Sequence, residues 1–484
     1  MEEVTVTKLV HGGQGLAELA DGRKVFVWNA LPGETVRVRI IKKKRSFAEA
    51  IAEEVVVASP DRVPPREENY LATSPWQMMT FAAENRYKAE IVRELFAHEK
   101  VTLPGGSVIP TGAKRNGGIP SDTTQAGSLR SGYASGRDDS VVHDEREWNY
   151  RNKMEYSFWG DEQGLHLALH RRASHGKQIV QGSELAMPAV DAGANSVLAE
   201  LQKLDIRAGD LKTIIVRCSQ ARHPGLDPGS SRKSSAEGTN YLLDSRLRGN
   251  DRSESVSPET VAALFVKRED FPQVELPEGV KGLRVYYSNP KSPASVPTRL
   301  LYELGDVGLE DTLLGKPFHY DVDSFFQVNL PIYEQALARI REHCSADPVD
   351  MYAGVGSIGL SVAKQKVELV ELDPATAAMA RVNAEASGLQ VGVVEASTER
   401  ALESITGDQP VIFDPPRAGL HDKVVERCLE VLPPQIIYLS CNPATQARDL
   451  KLLAENYTID FFEIYNFFPR TPHIETLAVL TSKA

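Results

Sequence analysis

From about residue 316 to the end of the chain, short apolar runs alternate with helical patterns: PVDMYAG, KVELVELD, GVVEAS, PVIFDPP and QIIYLSC, then IYNFFPRTPHIETLAVLTS. Runs too short to be buried helices, separated by segments of helical spacing, bury both faces in a parallel sheet with helices on either side. In such a sheet the carboxyl ends of the strands open onto one crevice. Several of these runs end in residues able to do chemistry, so the crevice is where a site is expected.

The rest of the chain divides by texture. Residues 1–58 alternate polar and apolar residues around a Gly-rich turn, HGGQGLAELADGR, and a Pro-Gly turn, which predicts a small β-barrel of OB-like type. Its stretch from Arg37 through Arg39, Lys42, Lys43 and Lys44 to Arg45, followed by Phe47, suits two roles equally. One is a solvated edge strand protected by its charges, the other an RNA-binding face. Residues 59–315 read as a central α+β domain. It opens with an amphipathic pattern through Ile91, Leu95 and Phe96 and contains an aromatic, basic meander carrying Arg151, Lys153, His170, Arg171 and Arg172. Two tracts inside it, 105–146 and 219–258, hold few large apolar residues and are expected to be disordered insertions. Residues 316–484 form the third domain, Rossmann-like by its strand and helix alternation.

Charge and cysteines narrow the function classes. A net charge of −11 weighs against a nucleic-acid partner for the chain as a whole, although a global sum hides local fields. Cys218, Cys344, Cys428 and Cys441 lie far apart with no CxxC pair, so neither a metal site, an iron–sulfur cluster nor a disulfide framework is expected. Cys344 and Cys428 fall in helical patterns and read as structural. No run approaches the ~20 apolar residues of a membrane span. The start, MEEVTVTKLV, is unlike a secretory signal, so a cytoplasmic protein is expected.

Five motifs flank these strands. Asp350-Met-Tyr352-Ala-Gly354-Val-Gly356-Ser-Ile-Gly359 spells GxGxxG after a strand and before a helix, where glycines let backbone approach a bound nucleoside. This fits a dinucleotide as well as S-adenosylmethionine. Glu371 and Asp373 end the next strand, where a carboxylate can accept both hydroxyls of a ribose. Asp414-Pro415-Pro416-Arg417 places an acceptor carboxylate on a loop stiffened by two prolines. The arginine that follows, where amino-group methyltransferases carry an aromatic residue, points away from nitrogen chemistry. Cys441 stands at the end of the strand QIIYLS and before Asn442-Pro443, and Glu475 precedes the last strand, a carboxylate beside the crevice able to take a proton.

Together, Phe326-Gln327-Val328-Asn329, DMYAGVG, the acidic strand end at Glu371, FDPPRAGL, LSCNPAT and HIET resemble the TRAM-domain RNA uridine-5-methyltransferases. That resemblance implies contacts to S-adenosylmethionine from Gln327, Tyr352, Gly354, Gly356, Glu371 and Asp414, with Cys441 as nucleophile and Glu475 as base. It implies RNA as the partner, 23S ribosomal RNA ahead of transfer RNA, and a monomer. Many relatives carry a four-cysteine iron–sulfur motif after the barrel. The corresponding residues here, 67–79, hold no cysteine, so no cluster is expected. The family also usually has a cysteine where this chain has Ala353, a position read as packing.

Two other readings compete. An NAD-dependent oxidoreductase would use GVGSIG but leaves DPPR, SCNP and HIET unexplained. A non-enzymatic RNA-binding protein built on a retired methyltransferase would tolerate the insertions, but it gives no reason to keep both Cys441 and Glu475.

Overall fold

The computed structural model describes residues 1–104, 141–172, 176–204, 206–220, 257–293 and 295–483. The bulk of the two expected insertions therefore lies outside the described residues. The strands flanking the second tract, Leu211–Cys218 and Thr260–Val266, pair antiparallel with Cys218 opposite Thr260, so the two strands on either side of the tract are direct neighbours in the sheet. Both expected boundaries need correction. Val141 and Val142 pair with Ile464 and Tyr465 at the edge of the C-terminal sheet. At the second tract, Ser219 bonds Glu259 backbone to backbone, and the Gln220 amide donates to Asp311.

Residues 2–57 form a six-stranded β unit. The chain passes from Glu2–Thr5, which pairs with Thr35–Lys43, straight into Lys8–Leu9, which pairs with Gly15–Glu18. One continuous segment thus supplies both edges, and the sheet curls into a barrel around Val4, Val25, Val27, Val36, Val38, Ala48 and Ala50. The basic strand is partly neutralised by its neighbour: Arg37 pairs with Glu54 at 2.7 Å, Lys42 with Glu49 at 3.3 Å, and Arg39 with Glu53. Of its two sequence readings, the solvated strand is the one this pairing favours.

The central sheet has seven strands, with helix Pro188–Gln202 packed on the face formed by Tyr156, Leu167, Ile214, Val216 and Leu264.

The C-terminal sheet is built from β1 (Val349–Met351), β2 (Lys366–Glu371), β3 (Gln390–Glu395), β4 (Val411–Phe413), β5 (Gln435–Ser440), β6 (Tyr457–Tyr465) and β7 (Glu475–Ser482). Their order is β3-β2-β1-β4-β5-β7-β6, with Val141–Val142 outside β6. β1 to β5 run parallel, and β7 enters antiparallel between β5 and β6. Successive strands are added to one side of β1 and then to the other, a reversal of strand order that puts the ligand crevice at the carboxyl ends of β1, β2, β4 and β5.

Two elements assigned by sequence to the central domain belong to this one. The hairpin Gly308–Leu313/Lys316–Asp321 buries Leu309, Leu313, Phe318 and Tyr320 in the same core as Leu369, Ile412 and Leu439, so the catalytic unit begins near residue 308 rather than 316. Helix Phe81–Glu99, capped by the Thr80 hydroxyl, buries Ala83, Ile91, Val92 and Phe96 in the same core as Val349, Met351, Val370 and Ile436. Periodicity marks a helix and its apolar face but does not say which sheet the face will meet.

That helix also carries a buried charge pair. Lys88 and Glu84 are both 0% exposed and 3.0 Å apart. The Lys88 ammonium donates to Asn466 Oδ1 and to the Phe468 carbonyl, while Glu84 accepts from Asn466 Nδ2 and the Arg470 amide. Removing one member of such a pair strands the other without water. Lys88→Met should therefore lower stability by roughly 3 kcal/mol, read from the urea midpoint at unchanged slope, and Lys88→Met with Glu84→Gln should cost clearly less.

Candidate active site

Strand register assembles the site. β5 and β7 pair with Ser440 opposite Thr476, so the next position outward sets Cys441, just past the end of β5, across from Glu475, the first residue of β7. Pro443 opens the following helix, whose Asn442 cap accepts from the Ala444 amide, so Cys441 is held in a tight strand-to-helix turn. The Asn442 amide also donates to the Arg417 carbonyl at 2.8 Å, and the Thr445 hydroxyl to the same atom at 3.3 Å. These bonds tie the DPPR loop after β4 to the cysteine turn.

Charge in the crevice is tuned by burial. Cys441 is half-buried, and its thiol is pushed up to about 12 by desolvation, then by the Glu475 and Asp414 carboxylates, against the pull of Arg417. Glu475 is 3% exposed and its carboxyl is held well above the ordinary range by burial and Asp414, opposed by Arg417 and Lys88. Asp414 is raised to about 7 by burial. At neutral pH the resting thiol is protonated, and the carboxyls beside it resist holding several negative charges together. The other three cysteines are buried, with thiols raised by desolvation, as fits packing residues.

The turn after β1 has the conformation a nucleoside site needs. Tyr352, Gly354 and Gly356 all have positive φ, at 70°, 57° and 86°, and Tyr352 is the one residue of these for which that conformation is sterically disfavoured. A Cβ added at Gly354 would meet nothing within 4 Å, so open space lies directly over this backbone. Glu371 accepts from the Gly354 amide at 2.9 Å and the Asp373 amide at 2.8 Å, which fixes its carboxylate at the mouth of β1 and β2. Asp373 instead caps helix Pro374–Ser387 through the Thr376 amide. Beneath the turn, Asp350 accepts from the Gly359 amide with one oxygen while its buried Oδ1 has no partner among the described residues. The cradle, the fixed carboxylate and the open backbone fit an adenosyl group.

Gln327 arrives from the other side on a loop the central domain holds. Arg217, 0% exposed, donates to the carbonyls of Ser324 and Phe326, and Asn152 Nδ2 donates to the Gln327 carbonyl. Of the eight residues singled out by sequence, Tyr352, Gly354, Gly356, Glu371, Asp414, Cys441 and Glu475 thus lie at or just beyond strand ends of one sheet, and Gln327 lies on the loop that precedes helix Leu330–His343. Sequence reasoning missed the residues that position them. Lys88 contacts Asn466 across 378 positions of chain, and no local pattern could announce that. His473 was visible only as part of HIET, yet its Nδ1 accepts from Arg417 Nη2 at 3.1 Å. The barrel docks here too: a Cβ at Gly13 would come 2.5 Å from the Pro472 Cβ, and the Trp76 indole donates to the Gly13 carbonyl. Among the described residues no cluster of His, Cys, Asp or Glu is arranged to hold a metal, and no helix is long and apolar enough to cross a membrane.

Comparison with known proteins agrees with this architecture. Residues 308–483 match the tRNA (Uracil-5-)-methyltransferase family and residues 1–52 the TRAM domain. An uncharacterized RNA methyltransferase of Lactiplantibacillus plantarum is 27% identical over 500 residues, covering 99% of this chain and 96% of the relative. Another from Thermotoga maritima is 25% identical over 498 residues, covering 99% of each. The solved structure of Pyrococcus abyssi tRNA (uracil-54, C5)-methyltransferase in complex with S-adenosyl-L-homocysteine superimposes with a TM-score of 0.70 at 19% identity, over 99% of this chain and 100% of that one. This last likeness establishes the shared fold.

The buried carboxyls make stability depend on pH. Burial raises Asp350 to about 8 and Asp414 to about 7, so the folded state holds these protons more tightly than the unfolded chain does. Their contribution is complete below the ordinary carboxyl range and is lost as pH rises through those values, by up to ~1.4 kcal/mol per pH unit for each group. Asp350→Asn should match the wild type near pH ~4 and exceed it above pH ~8, measured by urea unfolding at both.

Proposed function

We propose that this chain, a member of the RNA (uracil-5-)-methyltransferase family by residues 308–483 and its N-terminal TRAM domain, methylates carbon 5 of a uridine in RNA through a covalent bond to Cys441. The observation that carries the reading is the β5–β7 register, which sets a thiol and a carboxyl facing each other beside a nucleoside cradle. An oxidoreductase reading would leave the DPPR and HIET segments beside that pair without a role.

S-adenosylmethionine, when bound, supplies an electrophilic methyl group for carbon 5 to attack, and Gln327, Tyr352, Gly354, Gly356, Glu371 and Asp414 would hold it. Carbon 5 of uracil is too weak a nucleophile by itself. The Cys441 thiol gives up its proton to water at the crevice mouth as its sulfur adds to carbon 6, and the electron pair of the ring double bond moves toward O4 as an enolate, which makes carbon 5 nucleophilic. After methylation, carbon 5 carries both the methyl group and its original hydrogen. Glu475 takes that hydrogen as a proton, the double bond reforms and the sulfur leaves carbon 6. The raised position of Glu475 makes it a stronger base than a surface carboxylate once it is deprotonated, while Arg417 opposes the build-up of negative charge. The base must leave its stack to reach the crevice.

Large-subunit ribosomal RNA is the proposed substrate, on the sequence resemblance. Transfer RNA is the second reading, favoured by the full-length fold likeness to an enzyme acting on tRNA. Base-resolution mapping of 5-methyluridine in a deletion strain decides between them. A retired methyltransferase would leave no 5-methyluridine to lose.

Two variants test the chemistry. Cys441→Ala should abolish methyl transfer while S-adenosylhomocysteine still binds, and wild-type protein should form a denaturant-stable adduct with substrate RNA carrying 5-fluorouridine. Glu475→Gln keeps shape but lacks a basic oxygen, so it should stall after methylation, trapping RNA on Cys441 as a slow-migrating band labelled from the cofactor's methyl group. Unlabelled free RNA would instead make Glu475 a substrate-positioning residue, and retained turnover by Cys441→Ala would end the assignment.

A further inference from the structure

Many arginines here are committed to carboxylates: Arg23, Arg37, Arg39, Arg62, Arg86, Arg284, Arg299, Arg381 and Arg448 each lie within 4.0 Å of one. Arg151, Arg172 and Arg417 differ. Among the described residues they have no carboxylate partner, and each comes from a different place in the chain. Arg151 precedes strand Lys153–Asp161, Arg172 follows strand Gly164–His170, and Arg417 lies on the loop after β4.

Arg417 and Arg151 come together around His473 and Phe468, and Arg172 lies near enough for its charge to act on His473. Arg417 donates to His473 Nδ1, the His473 ring meets Phe468 edge-on at 5.6 Å, and the Arg151 guanidinium lies 5.9 Å from the Phe468 ring centre. Arg172 stacks 4.2 Å over Trp28 of the barrel, and its Nε donates to the Leu71 carbonyl at 2.6 Å. The charges of Arg417, Lys88, Arg151 and Arg172 all act on His473, which burial and these cations press down to about 3. His473 is therefore neutral, and because Nδ1 accepts, its proton sits on Nε2, ready to donate.

Each guanidinium is pre-oriented yet unspent. Arg172 uses its Nε and one face, which leaves both terminal nitrogens available. The buried Nε of Arg151 has no hydrogen-bond partner among the described residues. In a chain of net charge −11, a patch of guanidinium groups without carboxylates at the mouth of the site is a local field of the sign that polyanions seek.

Resting on the reading of the protein as an RNA methyltransferase, we propose that Arg151, Arg172 and Arg417 form a phosphodiester seat that grips the RNA backbone around the extruded uridine. Planar guanidinium forks match phosphate oxygens bidentately. Because Trp28 belongs to the barrel, Arg151 and Arg172 to the central sheet and Arg417 to the catalytic sheet, the seat exists only while all three units are docked. The barrel then contributes through the aromatic platform that orients Arg172, while Arg37, Arg39 and Lys42 of its basic strand are paired with Glu54, Glu53 and Glu49.

The test uses the full chain and a labelled single-stranded oligouridylate, with binding followed by fluorescence anisotropy across a salt series. Removing one guanidinium that neutralises a phosphate should make the slope of log K against log salt shallower by about 0.7 for a single strand. Arg151→Gln, Arg172→Gln and Arg417→Gln should each do so, with affinity for S-adenosylhomocysteine kept as the check on folding. Arg172→Lys, which keeps the charge without the fork, should hold the wild-type slope. Arg171→Gln, at the exposed neighbouring position, should change nothing. An equal change from Arg171→Gln, or weaker binding by the three variants at unchanged slope, would overturn the seat. If the slopes behave as stated while the wild-type protein methylates no RNA, the seat stands and the functional reading falls.

Discussion

The antiparallel entry of β7 between β5 and β6 is the constraint on which the site depends. A purely parallel sheet would bring only carboxyl ends to the crevice, and Glu475, which begins its strand, would then lie at the opposite edge. Inserting one reversed strand brings an amino end to the same rim. The pairing of Ser440 with Thr476 fixes the register, so Cys441 and Glu475 face each other without either needing a long flexible side chain. A slip of one residue would turn the β7 side chains to the other face and separate the pair.

Register alone does not hold the loop that leads into β7. Residues 466–474 run between β6 and β7, and the Glu84–Lys88 pair anchors them from below through Asn466, Phe468 and Arg470. Arg470 in turn donates to the Met79 carbonyl and pairs with Glu147, so the linker after the barrel and the segment near 147 are fastened to the same loop. Buried ion pairs are weak contributors to net stability, yet breaking one is costly, so the geometry they impose persists. Here the geometry imposed is that of the segment ending in Glu475.

The electrostatics of the crevice follow from the same packing. Asp350, Asp414 and Glu475 are brought into a region with few neutralising partners, and burial lifts all three. Cys441 shares that environment and rests as a thiol. The opposing positive charge lies at the rim, on Arg417 and its neighbours. The site is thus acidic within and positive at its mouth, an arrangement suited to drawing in a polyanion while leaving its base, and not its phosphates, to enter.

Much of this was legible in the sequence because it is local. Strand periodicity, the glycines at 354 and 356, the Asp-Pro-Pro turn and a cysteine before Asn-Pro are each set by a few consecutive residues, and each lies where such signals put it. The barrel was legible for the same reason. Domain membership was not: helix Phe81–Glu99 and hairpin Gly308–Asp321 announce their apolar faces, but which core receives a face depends on shapes contributed by distant segments. The partners of the charged residues were equally hidden. Composition counts Arg37 and Arg417 alike, yet one is spent on Glu54 and the other is left facing the crevice. The order of residues settles which chemistry each strand end can offer. Folding in three dimensions selects which groups meet and which charges stay without a counter-ion, because pairing is decided by distance in space and not by distance along the chain.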